Sequence, residues 1–138
     1  MDKSVKKYLN DMLQAISEIE VAEERFGRRY EIFERDVVFR KFVERNIEIL
    51  GEAMNRILKI DHQIEITSAR KIVDTRNYVT HAYDSLKPDI LWSIVINHIP
   101  KLKSEVTTLL ESYSEDWHYP SATRVRVSGA MVRDAIIV

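Results

Sequence analysis

Apolar residues recur at steps of three and four along most of the chain, which is the spacing of one face of an α-helix. Residues 2–24 carry a first stripe, which ends before Gly27 and consists of Val5, Leu9, Met12, Ile16 and Ile19. A short linker, long enough for one helical turn, holds Tyr30, Ile32 and Phe33. A second stripe spans about 35–60 through Phe39, Phe42, Ile49, Ala53 and Ile60, and is widened by Val43, Leu50 and Ile57.

Three residues interrupt the second stripe. Asn46 and Arg56 are polar, and a polar residue on an apolar face usually has a specific partner. Gly51 costs a helix about 1 kcal/mol relative to alanine. The close approach of another helix would explain a glycine at this position.

Two further helices complete the pattern. Thr67 or Ser68 can cap a third helix over about 67–84. The segment Lys87-Pro88-Asp89 starts a fourth, because proline is tolerated in a first turn. The fourth stripe contains Ile90, Leu91, Ile94, Val95, Ile99, Leu102, Val106, Leu109 and Leu110. Pro100 lies inside it and is expected to kink or restart the helix.

These stripes predict an all-α fold, an up-down four-helix bundle with a kinked last helix. Composition agrees, because 138 residues with three glycines, three prolines and 31% charged residues favour long helices in one domain. We assign the bundle to residues 1–112 and a tail of unknown role to 113–138. The tail has no helical stripe, and its segments RVRV and AIIV suggest irregular or extended structure. It could pack on the bundle, wrap around a second copy or be appended sequence.

Charge and cysteine content narrow the function classes. The formal net charge is −1, so no global basic field draws the chain to nucleic acid, and RNA contact would need a local patch or a second copy. The chain has no cysteine, which excludes disulfides and thiolate chemistry. Neither a signal peptide nor an apolar run of bilayer length is present, so a soluble cytoplasmic protein without membrane contact is expected.

The stretch RNYVTHAYD, residues 76–84, concentrates polar chemistry on the third helix. At about 100° per residue, Asn77, His81 and Asp84 form a line that points away from the inward residues, while Arg76 and Tyr83 share a flank. Histidine moves protons near neutral pH and arginine holds phosphate, as phosphodiester cleavage requires. One copy supplies one histidine here, so two proton-transfer roles suggest a symmetric dimer. The alternative is a solvated helix face on which Arg76 pairs with a carboxylate.

Arg76, His81 and Tyr83 reproduce an R-x4-H-x-Y pattern that resembles the HEPN superfamily, and within it the HepT-like toxins. ERNIEILGEAMNRI at 44–57 resembles the second long helix of that family, and LKPDILWSIVINHIPKLKSEV at 86–106 resembles its last. The resemblance covers about residues 3–112 and includes no counterpart of the tail.

The resemblance implies a HEPN-type bundle that dimerises and acts as the toxin of a type VII-like toxin–antitoxin pair. Such toxins are regarded as metal-independent endoribonucleases, with Arg76 and His81 catalytic and Asn77 and Asp84 supporting. The implied partners are RNA, a second copy and a minimal nucleotidyltransferase antitoxin that transfers AMP from ATP to Tyr83. No resident cofactor or metal is implied.

Two rival classes remain. Di-iron bundles use Glu-x-x-His pairs, and only Glu115 and His118, in the tail, have that spacing. Glu44, Glu48 and Glu52 are interpreted as a solvated acidic ridge. A non-catalytic HEPN module that partners a nucleotidyltransferase or binds nucleotides is the other alternative. Trp92 and Phe39 fall within apolar patterns and are interpreted as core residues, not as platforms for bases.

Overall fold

The computed structural model describes residues 2–81 and 87–116, without the side chains of 79–81 and 113–116. These residues form six helices, namely α1 Lys3–Phe26, α2 Tyr30–Arg35, α3 Val37–Ile60, α4 Ala69–His81, α5 Pro88–Asn97 and α6 Ile99–Asp116. The prediction of an all-α bundle is confirmed. The predicted linker turn is α2, and the predicted fourth helix is the pair α5 and α6.

Local signals set the ends of α1 and α3. The Asp2 carboxylate accepts a hydrogen bond from the Ser4 backbone N–H at 2.6 Å, and Asp36 accepts one from the Phe39 N–H at 3.0 Å. Each bond satisfies a backbone donor that has no partner within its own helix. Gly27 ends α1 with φ of 106°, where an added Cβ would also lie 2.9 Å from Ile32 Cδ1. Gly27 therefore separates α1 from α2, and Asp36 separates α2 from α3.

The helix α3 lies at the centre of the bundle and packs against α1, α2, α4 and α5. It runs antiparallel to α1, because Phe26 at the end of α1 stacks on Phe39 near the start of α3, with ring centroids 5.0 Å apart. At the other end, the Arg56 guanidinium lies 6.0 Å from the Tyr8 ring centroid. α6 also packs against α1, and Lys103 of α6 forms an ion pair with Glu20 of α1 at 3.0 Å.

The buried face of α3 differs from the predicted stripe. Val43, Leu50 and Ile57 are fully buried, whereas Phe42 is 40% exposed and Ile60 is 45% exposed. Phe39 and Ala53 of the predicted stripe are buried as expected, whereas Ile47 and Met54, which the predicted stripe did not include, are buried as well. A wide apolar stripe does not by itself show which of its edges faces the neighbouring helices.

An aromatic cluster closes one end of the bundle. Phe33 and Phe39 are completely buried, and Trp92 of α5 packs on Phe33 with ring centroids 4.9 Å apart. The interpretation of Phe39 as a core residue is confirmed, and Trp92 is partly buried and packs against that core. The cluster holds α2 and α5 against the start of α3.

The predicted restart at Pro100 is confirmed, because α5 ends at Asn97 and α6 begins at Ile99. Ser68, just before α4, has its hydroxyl 3.3 Å from Nδ1 of His98 at this break. The Thr67 N–H donates to the Glu105 carboxylate at 3.1 Å. The start of α4 is thereby tied to the junction of α5 and α6.

The tail predicted at 113–138 lies mostly outside the described residues. α6 itself continues to Asp116, so helix extends past the boundary drawn at 112. No helix among residues 2–81 and 87–116 is both long and apolar enough to cross a membrane.

Candidate functional site

The position of Arg76 depends on a close approach between α3 and α4. A Cβ added to Gly51 would overlap Arg76 Cβ and would lie 2.9 Å from the Ile72 carbonyl oxygen. The absence of a side chain at Gly51 therefore lets the two helix backbones meet at this turn. The prediction that a neighbouring helix approaches Gly51 is confirmed, and the residue it places there is Arg76.

The guanidinium of Arg76 is held by two side chains. Its Nη2 donates to Glu52 Oε1 at 2.5 Å, and its Nη1 donates to Asn77 Oδ1 at 2.7 Å. The Arg76 side chain is 25% exposed, so one side of it faces solvent. A guanidinium has more N–H groups than these two bonds use, and the remainder can bind an anion.

Glu52 lies between two arginines. Its Oε2 accepts a hydrogen bond from Arg56 Nε at 2.8 Å, while its Oε1 accepts the bond from Arg76. The bond from Arg56, together with the positive charges of Arg76 and Arg56, holds the pKa of Glu52 below its usual value. The same bond is the main cause that raises the pKa of Arg56. Glu52 is therefore ionised at neutral pH, and the three side chains together carry one net positive charge.

This cluster lies on an open groove of about 590 Å³ between α1 and the outer face of α3. Tyr8 and Lys7 of α1 line it near Arg56, and Asn46 and Arg45 line it further along α3. The groove connects the arginine cluster to a larger surface on which a ligand can extend.

Of the remaining site residues named from the sequence, only His81 belongs to the described part of α4. His81 is the last residue of α4, about 7.5 Å of helix rise after Arg76. The side chain of His81, and all of Tyr83 and Asp84, lie outside the described residues. The structure thus brings Arg76 and Asn77 together, and the roles assigned to His81, Tyr83 and Asp84 stay predictions.

Arg76 does pair with a carboxylate, as the alternative interpretation expected, but sequence reasoning did not identify Glu52 as that partner. It also missed Arg56 on the other side of Glu52, and Tyr8 beside Arg56. It treated Glu52 as part of a solvated acidic ridge with Glu44, yet Glu44 is only 8% exposed and Glu52 binds two arginines. The sequence contained a signal for Glu52, namely its position next to Gly51. A residue next to Gly51 must lie close to the helix that this glycine allows to approach.

The arrangement is suited to binding a phosphate group. Two arginines lie on one carboxylate, so an approaching anion meets a net positive charge and free N–H donors. Among residues 2–81 and 87–116, no three histidine or acidic side chains are grouped as ligands for a metal ion.

Comparison with known proteins identifies the family. The family model described as "Ribonuclease HepT-like" matches residues 12–109, which is more than two thirds of the chain and includes Gly51, Glu52 and Arg76. The chain belongs to the HepT-like ribonuclease family. The resemblance to HepT-like proteins of the HEPN superfamily is thereby confirmed.

Three relatives are similar to this HepT-like chain. A "putative RNase" of Methanocaldococcus jannaschii is 31% identical over 106 residues, which cover 75% of the chain and 94% of the relative. A "putative RNase" of Caldanaerobacter subterraneus subsp. tengcongensis is 29% identical over 111 residues, which cover 79% of the chain and 96% of the relative. A "gamma-glutamylcyclotransferase and putative RNase" of M. jannaschii is 27% identical over 117 residues, 84% of the chain but only 52% of that longer relative. No solved structure matches the chain.

Proposed function

We propose that this protein is a metal-independent endoribonuclease that acts in the cytoplasm as the toxin of a toxin–antitoxin pair. Membership of the HepT-like ribonuclease family supports ribonuclease activity. The observation that carries the proposal is the Arg76 guanidinium, held by Glu52 and Asn77 on an open groove, on the helix that ends at His81.

In the proposed reaction the ribose 2′-hydroxyl attacks the adjacent phosphorus and the 5′-oxygen of the next nucleotide leaves. Arg76 stabilises the charge that develops on the phosphate oxygens, and His81 transfers protons. Asn77 orients Arg76 through its 2.7 Å hydrogen bond, and Asp84 supports His81. Glu52 keeps the Arg76 side chain extended toward the groove in the absence of RNA.

We further propose that the working unit is a homodimer. Cleavage needs a base for the 2′-hydroxyl and an acid for the leaving oxygen, and each chain supplies one motif histidine, His81. Two copies of the α4 end, facing each other, would supply both groups. Activity per chain should then fall when the protein is diluted below the dissociation constant of the dimer, as measured by sedimentation.

The proposed neutralisation is AMP transfer to Tyr83 by a cognate nucleotidyltransferase. The tyrosine oxygen bonds to the α-phosphorus of ATP, and pyrophosphate leaves. The attached AMP adds negative charge and bulk beside His81, where the RNA phosphate must bind. Electrostatic repulsion and steric exclusion would both reduce RNA cleavage.

The ribonuclease proposal is tested on RNA in the presence of EDTA. Wild-type protein should cut, while Arg76→Ala and His81→Ala should each lose about 10²- to 10⁴-fold in rate. Arg70→Ala is the matched control, because Arg70 is an exposed arginine of the same helix. If both site variants cut as fast as this control, the assignment of Arg76 and His81 is wrong.

Loss of wild-type cleavage with chelator would favour a metal mechanism. A folded wild-type dimer that never cuts RNA would favour a non-catalytic binding module.

The AMP acceptor is tested by mass spectrometry after incubation with the nucleotidyltransferase and ATP. Tyr83→Phe should abolish the AMP adduct. Tyr78→Phe should retain it, and is a matched control because Tyr78 is a tyrosine five residues earlier in the sequence and is 50% exposed on α4. An adduct that persists on Tyr83→Phe protein would refute the assignment.

A further inference from the structure

The charged side chains that line the groove between α1 and α3 are unlike those of a surface that binds a long nucleic-acid backbone. Its four cationic side chains are matched in number by four acidic ones, which are Asp11, Glu18, Glu48 and Glu52. A surface of balanced charge does not attract a long polyanion. Only the end formed by Arg56 and Arg76 carries a local excess of positive charge over Glu52.

The floor of the groove is apolar and its wall is aromatic. Ala15 and Ala53 are buried in the floor, and Ile49 lies beside them. Tyr8 is half-buried at the arginine end, where the Arg56 guanidinium carbon is 6.0 Å from its ring centroid. When single-stranded RNA binds a protein, its bases stack on flat apolar surfaces, aromatic rings and guanidinium planes.

Asn46 provides a polar group within this apolar part of the groove. It is 3% exposed, and its Nδ2 donates to the Phe42 carbonyl oxygen at 3.1 Å. In the part of the chain that the structure describes, its Oδ1 accepts no hydrogen bond. A buried amide oxygen without a donor is destabilising, so an N–H from a ligand in the groove would relieve that cost.

The separation between Asn46 and the arginine end matches one nucleotide. Glu52, whose carboxylate binds the guanidinium groups of both Arg56 and Arg76, marks the arginine end. Asn46 and Glu52 are six residues apart on α3, which corresponds to about 9 Å of helix rise. A ligand that reaches both ends therefore has an N–H donor at one end and an anionic group at the other, with a flat apolar body between them. A nucleotide has this chemistry, with base N–H groups at one end and a phosphate at the other.

We propose that the α1–α3 groove is the subsite for one unpaired nucleotide of the RNA substrate. The base lies on the floor at Ala15, Ile49 and Ala53, a base N–H donates to Asn46 Oδ1, and the phosphate binds at Arg56 and Arg76. This inference rests on the proposed ribonuclease function and deepens it, because it makes Asn46 a determinant of base preference at the cleavage position.

The test uses short single-stranded RNAs that differ only in the nucleotide on the 5′ or the 3′ side of the cut. Wild-type protein should prefer particular bases on one side. Asn46→Leu keeps the size of the side chain but removes the acceptor, so it should lower kcat/KM for the preferred base about tenfold and flatten the preference. Its Tm should stay unchanged or rise, because an unpaired buried oxygen has been removed.

A second variant fills the groove. Ile49→Trp should weaken RNA binding and cleavage for all bases, whereas Val21→Trp should not, because Val21 is an exposed apolar residue of α1 that does not line this groove. If Ile49→Trp protein retains wild-type rates and preferences, the groove is not a subsite. A lower Tm for Asn46→Leu with unchanged base preference would show that Asn46 is structural.

Failure of the ribonuclease proposal would look different. In that case wild-type protein cuts no RNA, and the groove is tested by binding of a fluorescent single-stranded RNA. Weaker binding by Asn46→Leu and Ile49→Trp, with Val21→Trp unaffected, would still support the subsite. Equal binding by all four proteins would refute it.

Discussion

Replacing Gly51 with alanine should destabilise the protein, although the same change stabilises most helices. An alanine in a helix interior is favoured over glycine by about 1 kcal/mol. At Gly51, however, the new methyl group would overlap Arg76 Cβ and lie 2.9 Å from the Ile72 carbonyl oxygen. Both neighbours belong to or adjoin the backbone of α4, so neither can move aside by a simple rotation of a flexible side chain.

The size of the effect follows from these opposing contributions. Overpacking by one methyl group in a well-packed interface costs about 1–3 kcal/mol, and a clash with backbone lies toward the upper end of that range. After subtraction of the helix-propensity gain, we expect the free energy of unfolding to fall by about 1–2 kcal/mol. For a domain of this size that corresponds to a Tm lower by roughly 3–10 °C.

The displacement also reaches the site. If α4 moves away from α3, the Arg76 guanidinium moves with it and loses its 2.5 Å contact to Glu52. A shift of about 1 Å in a phosphate-binding group can lower a rate by about 10²-fold. Gly51→Ala protein should therefore have both a lower Tm and a lower rate of RNA cleavage.

The matched control is Ser17→Ala, an alanine introduced on the exposed face of α1. It should leave Tm within a degree or two or raise it slightly, because only helix propensity changes. The reasoning about the α3–α4 contact is refuted if Gly51→Ala raises Tm as an ordinary helix substitution would.

Two further predictions concern the acid pH range and the core. The pKa of Glu52 is lowered in the folded state, so its stabilising contribution is complete above its unfolded pKa of about 4.5 and is lost as the pH falls through the folded pKa. The decrease in Tm caused by Glu52→Gln should thus be largest near neutral pH and disappear in acid. Glu48→Gln is the control, because the contact of Glu48 to Arg45 is longer, at 3.8 Å. A decrease in Tm that is independent of pH would contradict the ion-pair explanation. Phe39→Ala should lower the free energy of unfolding by about 3–5 kcal/mol in denaturant titrations, because Phe39 is fully buried between Phe26 and Phe33. A loss below about 1 kcal/mol would show that the aromatic cluster does not stabilise the bundle.

The helices could be predicted because their causes are local. Gly27 ends α1 at its own position, and the apolar spacing in α1 identifies its buried face without reference to any neighbour. The capping residues Asp2 and Asp36 also act within a few residues of their own positions, but they were not predicted. Pro100 restarts the last helix for a reason contained in its own ring. In the candidate site, Arg76 and Asn77 were found for the same reason, since both lie on one short stretch of α4.

Only the tertiary structure decided what surrounds Arg76. Glu52 is 24 residues away in sequence, and it becomes a partner because Gly51 lets α4 cross α3 at that turn. The same crossing, and the antiparallel placement of α1, bring Tyr8 and Asn46 onto one groove with Arg56. Periodicity shows that a helix has a buried face, but it does not show which helix covers that face or at which turn the two helices cross. The sequence by itself therefore determined the helices and the motif arginine, and packing between helices determined the carboxylate, the second arginine and the groove around it.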